Sequence, residues 1–549
     1  MTTEQIFEDT PLYTSISPAD YTGNSEEWND VTSHFRNAKE PVKKDMRFYI
    51  ILGCMFINVF VAALDSTIVA TLLPVIADDL QCLPVISWIA TSYLLLCAAF
   101  QPVFGKFSDI FGRKSVCVFC SVIFSLGCLL CGIGNSFIVL VIGRAISGIG
   151  GGGFNTMSAI VLSDLVPLNQ RGLFQGYVNI FFGIGSAMGG VFAGFFQKYF
   201  NWRLAFIVQV PICLISGILT FLYLNVEKGE EAETVEESLK SKVGKVDFYG
   251  STVLVSSIFI LMFAASIGGK SIPFQSIQFI VFVGAGLIGL IHFYYFEKGI
   301  SNPVIPVKLL KNKTIFWSSL GCWVLSMNTY CILLYVPFFW ESVLNLSSYE
   351  SGVRLIPGSI FAIIGSIGAG LYIKKYKKYK KLLLISTFVN SIGSFLIFLS
   401  SDKKKSFYTN SLILIPGQFG MTSIITIILI AMISSVNHSE HGLVTSIQYG
   451  FRSTGSTLGV SVASAILQSS LRKNLVNNFK DIGKNEDVIQ KIIEKALLDT
   501  TYAFNKAPEF AKQLIISSYY SACQDVFKFI VFTSLVTVIC SFFIEENKL

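Results

Sequence analysis

Apolar stretches of eighteen residues or more recur along the whole chain, and this one feature limits the architecture more than any other. Each stretch is long enough to cross a hydrocarbon core of about 30 Å as a helix. In lipid, backbone groups must be satisfied within the chain, so a run of such segments can only be a helical bundle. Composition agrees. Charged residues make up 14% of the 549 residues, against about 25% in soluble domains, and 52% are apolar. The chain reads as an all-α polytopic membrane protein.

Fourteen spans are expected between Phe48 and Ile544. Residues 1–47 form a polar N-terminal tail without the n-region and h-region of a cleavable signal. Residues 48–226 hold six spans, residues 227–314 two inserted spans with their linkers, and residues 315–549 six more, with a long loop at 471–522. The "NEDVIQKIIEKALLDT" stretch of that loop is expected to form an amphipathic helix. With an even number of spans, both termini share one side. Lys and Arg concentrate in the segments on that side, notably "VKKDMR" at 42–47 and "KKYKKYKK" at 374–381, which makes it cytosolic. The net charge of +7 is therefore read as topology, not as a nucleic-acid surface.

"GKFSDIFGRK", Gly105–Lys114, is the cytosolic turn between the second and third spans. Gly105 permits close helix approach, and Gly112 permits a turn with positive φ. Asp109 can cap a helix N-terminus or sit against a helix dipole. Arg113, four residues on, can pair with Asp109 or with a carboxylate of a neighbouring helix. The bland reading is a positive loop; the functional one is a charged clasp that holds one face shut and can break.

Other motifs stand in order beside it. "GKFSDIFGRK" resembles the signature loop of the major facilitator superfamily, and "LDSTIVATLLP" (64–74) resembles the first-helix motif of its fourteen-helix drug:proton antiporter branch. "GRAISGIGGGG" (143–153) resembles the fourth-helix motif around an embedded Arg, and "GIGSAMGGVFAG" (183–194) the glycine-rich fifth-helix antiporter motif. "NWRLAFIVQVP" (201–211) resembles the entry to the sixth helix. With "SWIATSYLL" and "QRGLFQGYVNIFFGIG", these segments are similar to the fungal vacuolar basic amino-acid transporters. The resemblance implies two six-helix bundles plus two inserted helices, and exchange of Lys, Arg or His for protons at a vacuolar membrane. Two positions depart from the family pattern: Gly190 is followed by Val191 where a Pro is usual, and Ser147 stands for a usual Gln.

Asp65 lies in the middle of the first span, where an ionised carboxylate costs about 3 kcal/mol. It is either a proton- or cation-binding group or a permanent partner of Arg144. Arg144 cannot lose its charge and either tunes Asp65 or takes a substrate carboxylate. Asp164 lies about 30 Å along the same helix from Arg144, level with the decapeptide, so Gly105, Asp109, Gly112, Arg113 and Asp164 form the expected clasp. Asn58, Tyr93, Asn155, Asn179, Gln448 and Arg452 are polar residues on spans, able to line a cavity or to bond helices together. Gly185, Gly189, Gly190 and Gly194 carry the glycine motif.

The twelve cysteines include two CxxC pairs, Cys117/Cys120 and Cys128/Cys131, inside one apolar helix without further ligands, so they read as packing. No nucleotide loop, metal cluster or nucleophile–base pair stands out, and no cofactor is expected. The expected partners are a small organic cation or basic amino acid, protons and membrane lipid, with no nucleic acid and a monomeric chain. The expected function is a proton-coupled antiporter at the vacuole membrane. The alternatives are a plasma-membrane drug or azole exporter and a nutrient sensor on a transporter scaffold. "YTSI" at 13–16 fits a sorting signal, and "NLS" at 345–347 is a glycosylation sequon.

Overall fold

The structure, a computed structural model, describes residues 45–80, 87–224, 247–268, 272, 276–300, 303–305, 307–346, 348–399, 407–437, 440–480, 486–498, 502–505 and 507–547. The tail with its "YTSI" signal, the lysines at 403–405 and Ser347 of the sequon lie outside these residues.

Fourteen long helices carry the fold. In the first part they are α1 (Met46–Leu80), α2 (Ser87–Phe111), α3 (Arg113–Ile133), α4 (Phe137–Leu165), α5 (Leu168–Tyr199) and α6 (Gln209–Tyr223). Next come α7 (Phe248–Ile267) and α8 (Ile277–Glu297). The last six are α9 (Lys313–Leu344), α10 (Ser348–Tyr376), α11 (Lys380–Leu399), α12 (Leu414–Ile433), α13 (His441–Phe479) and α14 (Glu509–Phe543). Among the described residues, 13 helices are long and apolar enough to cross a membrane. The fourteenth is α13, long enough at 39 residues but rich in Ser, Thr and Gly. It can be polar because its first ten residues, His441–Gly450, are all buried against other helices.

Helix ends differ from expectation mainly around residues 471–522. There α13 runs on to Phe479 and α14 starts at Glu509, so much of the expected loop is helix. Between them the Glu486–Leu498 helix buries Ile492, Ile493 and Ala496 against α13 and α14, as its amphipathic pattern requires.

The packing has a two-fold logic. In the first six helices, α4 packs on α2 and α3, and α3 on α6; in the last six, α9 packs on α13 and α14, and α12 on α10 and α11. The two sets meet along α2 with α13 and along α5 with α10. These are the second helix of one set and the fifth of the other in each case, the pairing expected of repeated halves. α7 lies against both α2 and α13, while α8 exposes Ile277, Ile280, Val281, Leu287 and Ile288 on its outer face, as a lipid-facing helix does. Cys117, Cys120, Cys128 and Cys131 are buried and unbridged.

Candidate functional site

Two charged centres occupy opposite ends of α4. Asp65 on α1 is 0% exposed and Arg144 on α4 is 1% exposed. Arg144 Nη1 donates to Asp65 Oδ2 at 2.6 Å, and its Nε donates to the Ile89 carbonyl at 3.3 Å. The guanidinium lies 4.3 Å from the centroid of the Tyr93 ring, a distance at which the ring face attracts a cation. The Tyr93 hydroxyl donates to the Ala62 carbonyl at 3.2 Å, tying α2 to α1. Asp65 Oδ1 has no hydrogen-bond partner among the described residues. A buried carboxylate oxygen in that condition is costly.

Glycines make this contact possible. A Cβ on Gly148 or Gly151 would collide with Tyr93. A Cβ on Gly189 would lie 2.9 Å from the Leu64 carbonyl, and one on Gly185 would meet the Phe60 carbonyl, so the glycine motif brings α5 against α1 beside Asp65. Gly190 and Gly194 have space around them and play no such part. Ser147 sits where α3 passes so closely that Gly127 has no room for a Cβ.

At the other end of α4, Arg113 Nε donates to Asp164 Oδ2 at 2.8 Å. Its Nη1 donates to Asp109 Oδ1 and to Ser108 Oγ. Gly112, with φ of 87°, makes the turn that starts α3 and places Arg113 there. Asp109 does not cap α3, whose N-cap is Gly112; it lies in the last turn of α2 and faces α13 instead. A Cβ on Gly442, in the first turn of α13, would stand 3.1 Å from both Asp109 Oδ1 and Arg113 Nη2. A carboxylate held against a helix N-terminus is favourably placed. Gly105 completes the contact, since a Cβ there would lie 2.7 Å from the Gly442 carbonyl and clash with Ser446.

The seam continues along α5. Arg171 Nη1 donates to His441 Nδ1 at 3.0 Å, Gln175 Nε2 to the Tyr449 hydroxyl at 3.2 Å, and Asn179 Nδ2 to Ser366 Oγ at 2.9 Å. Arg171 and Gln175 were not among the expected site residues, although they share the four-residue spacing of Asn179 and so one face of α5. The same end of α5 packs on α10 at Gly172 and Gly370, where a Cβ on Gly370 would lie 2.6 Å from backbone atoms. The decapeptide end of the bundle is thus closed by direct helix contact.

The other expected residues separate into packing and seam. Asn58 accepts from Ser216 Oγ at 2.7 Å inside the first set of helices. Asn155 donates to the Gly151 carbonyl of its own helix, and Gln448 to the Ile425 carbonyl of α12. Arg452 is half-buried, with its guanidinium 5.8 Å from the Phe182 and Tyr449 ring centroids.

Comparison with known proteins places this geometry. The sequence profile described as Major Facilitator Superfamily matches residues 55–460. The chain is 35% identical to the multidrug resistance protein fnx1 of Schizosaccharomyces pombe, over 91% of this chain and 92% of that one. It is 31% identical to the vacuolar membrane amino acid uptake transporter fnx2 of the same yeast, over 91% and 84%. It is also 31% identical to vacuolar basic amino acid transporter 2 of Saccharomyces cerevisiae, over 80% and 93%. Among solved structures, the human organic anion transporter MFSD10 superposes with a TM-score of 0.58 at 13% identity, covering 91% of this chain and all of that one.

Proposed function

The chain belongs to the major facilitator superfamily, and from that premise we propose that it is a proton-coupled antiporter that moves basic amino acids from the cytosol into the vacuole. It is an integral multi-pass membrane protein that transports a small molecule; it is not an enzyme.

The observation that carries the proposal is Asp65: a fully buried carboxylate with one oxygen on Arg144 and the other without a partner among the described residues. The charge arithmetic favours exchange. With Asp65 ionised, the pair is neutral and tolerates a cationic substrate nearby. With Asp65 protonated, Arg144 remains charged, and the site repels a second cation. Proton and substrate therefore exclude one another, and each occupant stabilises a different facing state. The clasp of Asp109, Arg113 and Asp164 closes the end that the Lys and Arg distribution assigns to the cytosol, with Gly105 and Gly112 shaping it. In this reading the described arrangement faces the vacuole lumen, and it exchanges substrate for a proton there before the clasp reopens.

The vacuolar membrane and the basic amino-acid substrate rest on the likeness to fnx2 and to vacuolar basic amino acid transporter 2. A second reading, export of drugs, is favoured by the likeness to a protein named for multidrug resistance. Uptake of radiolabelled Lys and Arg into vacuolar vesicles, with the proton gradient intact or collapsed, decides between them. Gradient-dependent uptake supports the first reading. Absence of uptake, with gradient-dependent extrusion of cationic dyes, supports the second.

A further inference from the structure

Arg452 is a second arginine within the membrane-spanning fold, and its situation is unlike that of Arg144. It lies on α13 about 16 Å along the helix from His441, well inside the bundle. No carboxylate pairs with it and no acceptor bonds to it among the described residues; its recorded contacts are the faces of Phe182 on α5 and Tyr449 on α13. Two residues before it, Gly450 packs on Pro102 of α2, and three residues after it Gly455 packs directly on the Trp323 backbone of α9. Arg452 therefore stands where α2, α5, α9 and α13 converge, between the two sets of helices.

An arginine at such a depth is costly and cannot shed its proton. Arg144 meets that cost with Asp65. Arg452 has only aromatic faces, which hold a guanidinium but leave its charge uncancelled. Its planar fork fits a carboxylate with two parallel hydrogen bonds.

We propose that Arg452 is the binding site for the α-carboxylate of the transported amino acid. This rests on the amino-acid reading above and sharpens it. Arg144, the other expected carboxylate ligand, has its Nη1 and Nε already engaged by Asp65 and Ile89. A bare cation between the two sets of helices also argues against simple organic cations as substrates, because they would be repelled. A basic amino acid brings its own carboxylate to pair with Arg452, an attraction that a simple organic cation lacks.

The test is ligand-induced thermal stabilisation of the purified full-length protein by Lys, by lysinamide, which lacks the free carboxylate, and by cadaverine, which lacks the group entirely. Wild type is expected to respond to Lys at concentrations at least tenfold below those needed for either analogue. Arg452→Gln is expected to erase that preference, and Arg452→Lys to keep part of it. If Arg452→Gln does not fold, Arg452→Lys decides: a preference for Lys over lysinamide that is weaker than in wild type supports the proposal, and one that is unchanged overturns it. Equal responses to Lys and lysinamide in wild type overturn the proposal while leaving the amino-acid reading standing, as does an Arg452→Gln protein that keeps the preference. A wild-type protein that responds to no basic amino acid overturns both.

Discussion

The two ends of α4 hold the same kind of chemistry in opposite settings. Asp65 and Arg144 are 0% and 1% exposed, and their partners come from α1, α2 and α4. Asp109 and Arg113 are 23% and 14% exposed, and their neighbours include the first turn of α13, from the other set of helices. The difference decides what each can do. Separating a buried pair strands two charges, whereas protonating Asp65 leaves one, so of the two changes the Asp65 pair is better suited to gaining a proton without parting. The partly exposed pair has some access to water, which lowers the cost of losing a partner, so it is the better placed of the two to open and reclose.

The largest effect is expected at the sealed pair. Asp65→Asn keeps the shape of the side chain and removes its titration, so gradient-driven uptake should fall to the level seen with the gradient collapsed. The change strands Arg144, at a cost of roughly 3–5 kcal/mol in stability. Combining it with Arg144→Gln should restore much of the lost stability, read as melting temperature, without restoring coupling. A folded, correctly localised Asp65→Asn protein that still concentrates substrate in a proton-dependent way would make the pair architecture.

Next is the seam. Gly105→Ala places a Cβ 2.7 Å from the Gly442 carbonyl. Overpacking of this kind costs about 1–3 kcal/mol, and here it falls on the closed state. Ser446→Cys supplies the reporter: in permeabilised cells its reaction with a water-soluble thiol reagent should be about tenfold faster when Gly105→Ala is added. An unchanged rate would mean that this contact does not hold the end shut.

Arg113→Ala should give the same direction with a smaller size. It removes the cation between Asp109 and Asp164 but leaves the glycine contact in place. Labelling at Ser446→Cys should rise only a few-fold, because the glycine contact still holds α2 against α13. An effect as large as that of Asp65→Asn on coupling would show that the clasp and the sealed pair work as one unit.

The smallest effect is expected for Tyr93→Phe. The ring stays over Arg144, and only the hydrogen bond to the Ala62 carbonyl is lost, about 1 kcal/mol in stability. Uptake should change less than threefold. Loss of coupling instead would place the Tyr93 hydroxyl on the proton's route.

Much of this arrangement was legible in the residues themselves. The apolar stretches dictate membrane helices because lipid offers the backbone no other partner. The four-residue spacing of Asp109 and Arg113 and the turn at Gly112 dictate the local part of the clasp, since these depend on neighbours along one chain. Even the polar face of Arg171, Gln175 and Asn179 on α5 was there to be read as a period. The tertiary structure alone decided the rest. It decided that Gly185 and Gly189 touch α1 while Gly190 and Gly194 touch little, because a glycine's purpose depends on which helix arrives beside it. It decided how a span as polar as α13 is accommodated, since its first turns are buried against other helices. And it decided between two arginines of the same type on helices of similar glycine-rich pattern. Arg144 faces Asp65 from 79 residues away in sequence, and Arg452 faces no carboxylate among the described residues. Charge pairing across such separations is a property of packing, and no spacing along the chain encodes it.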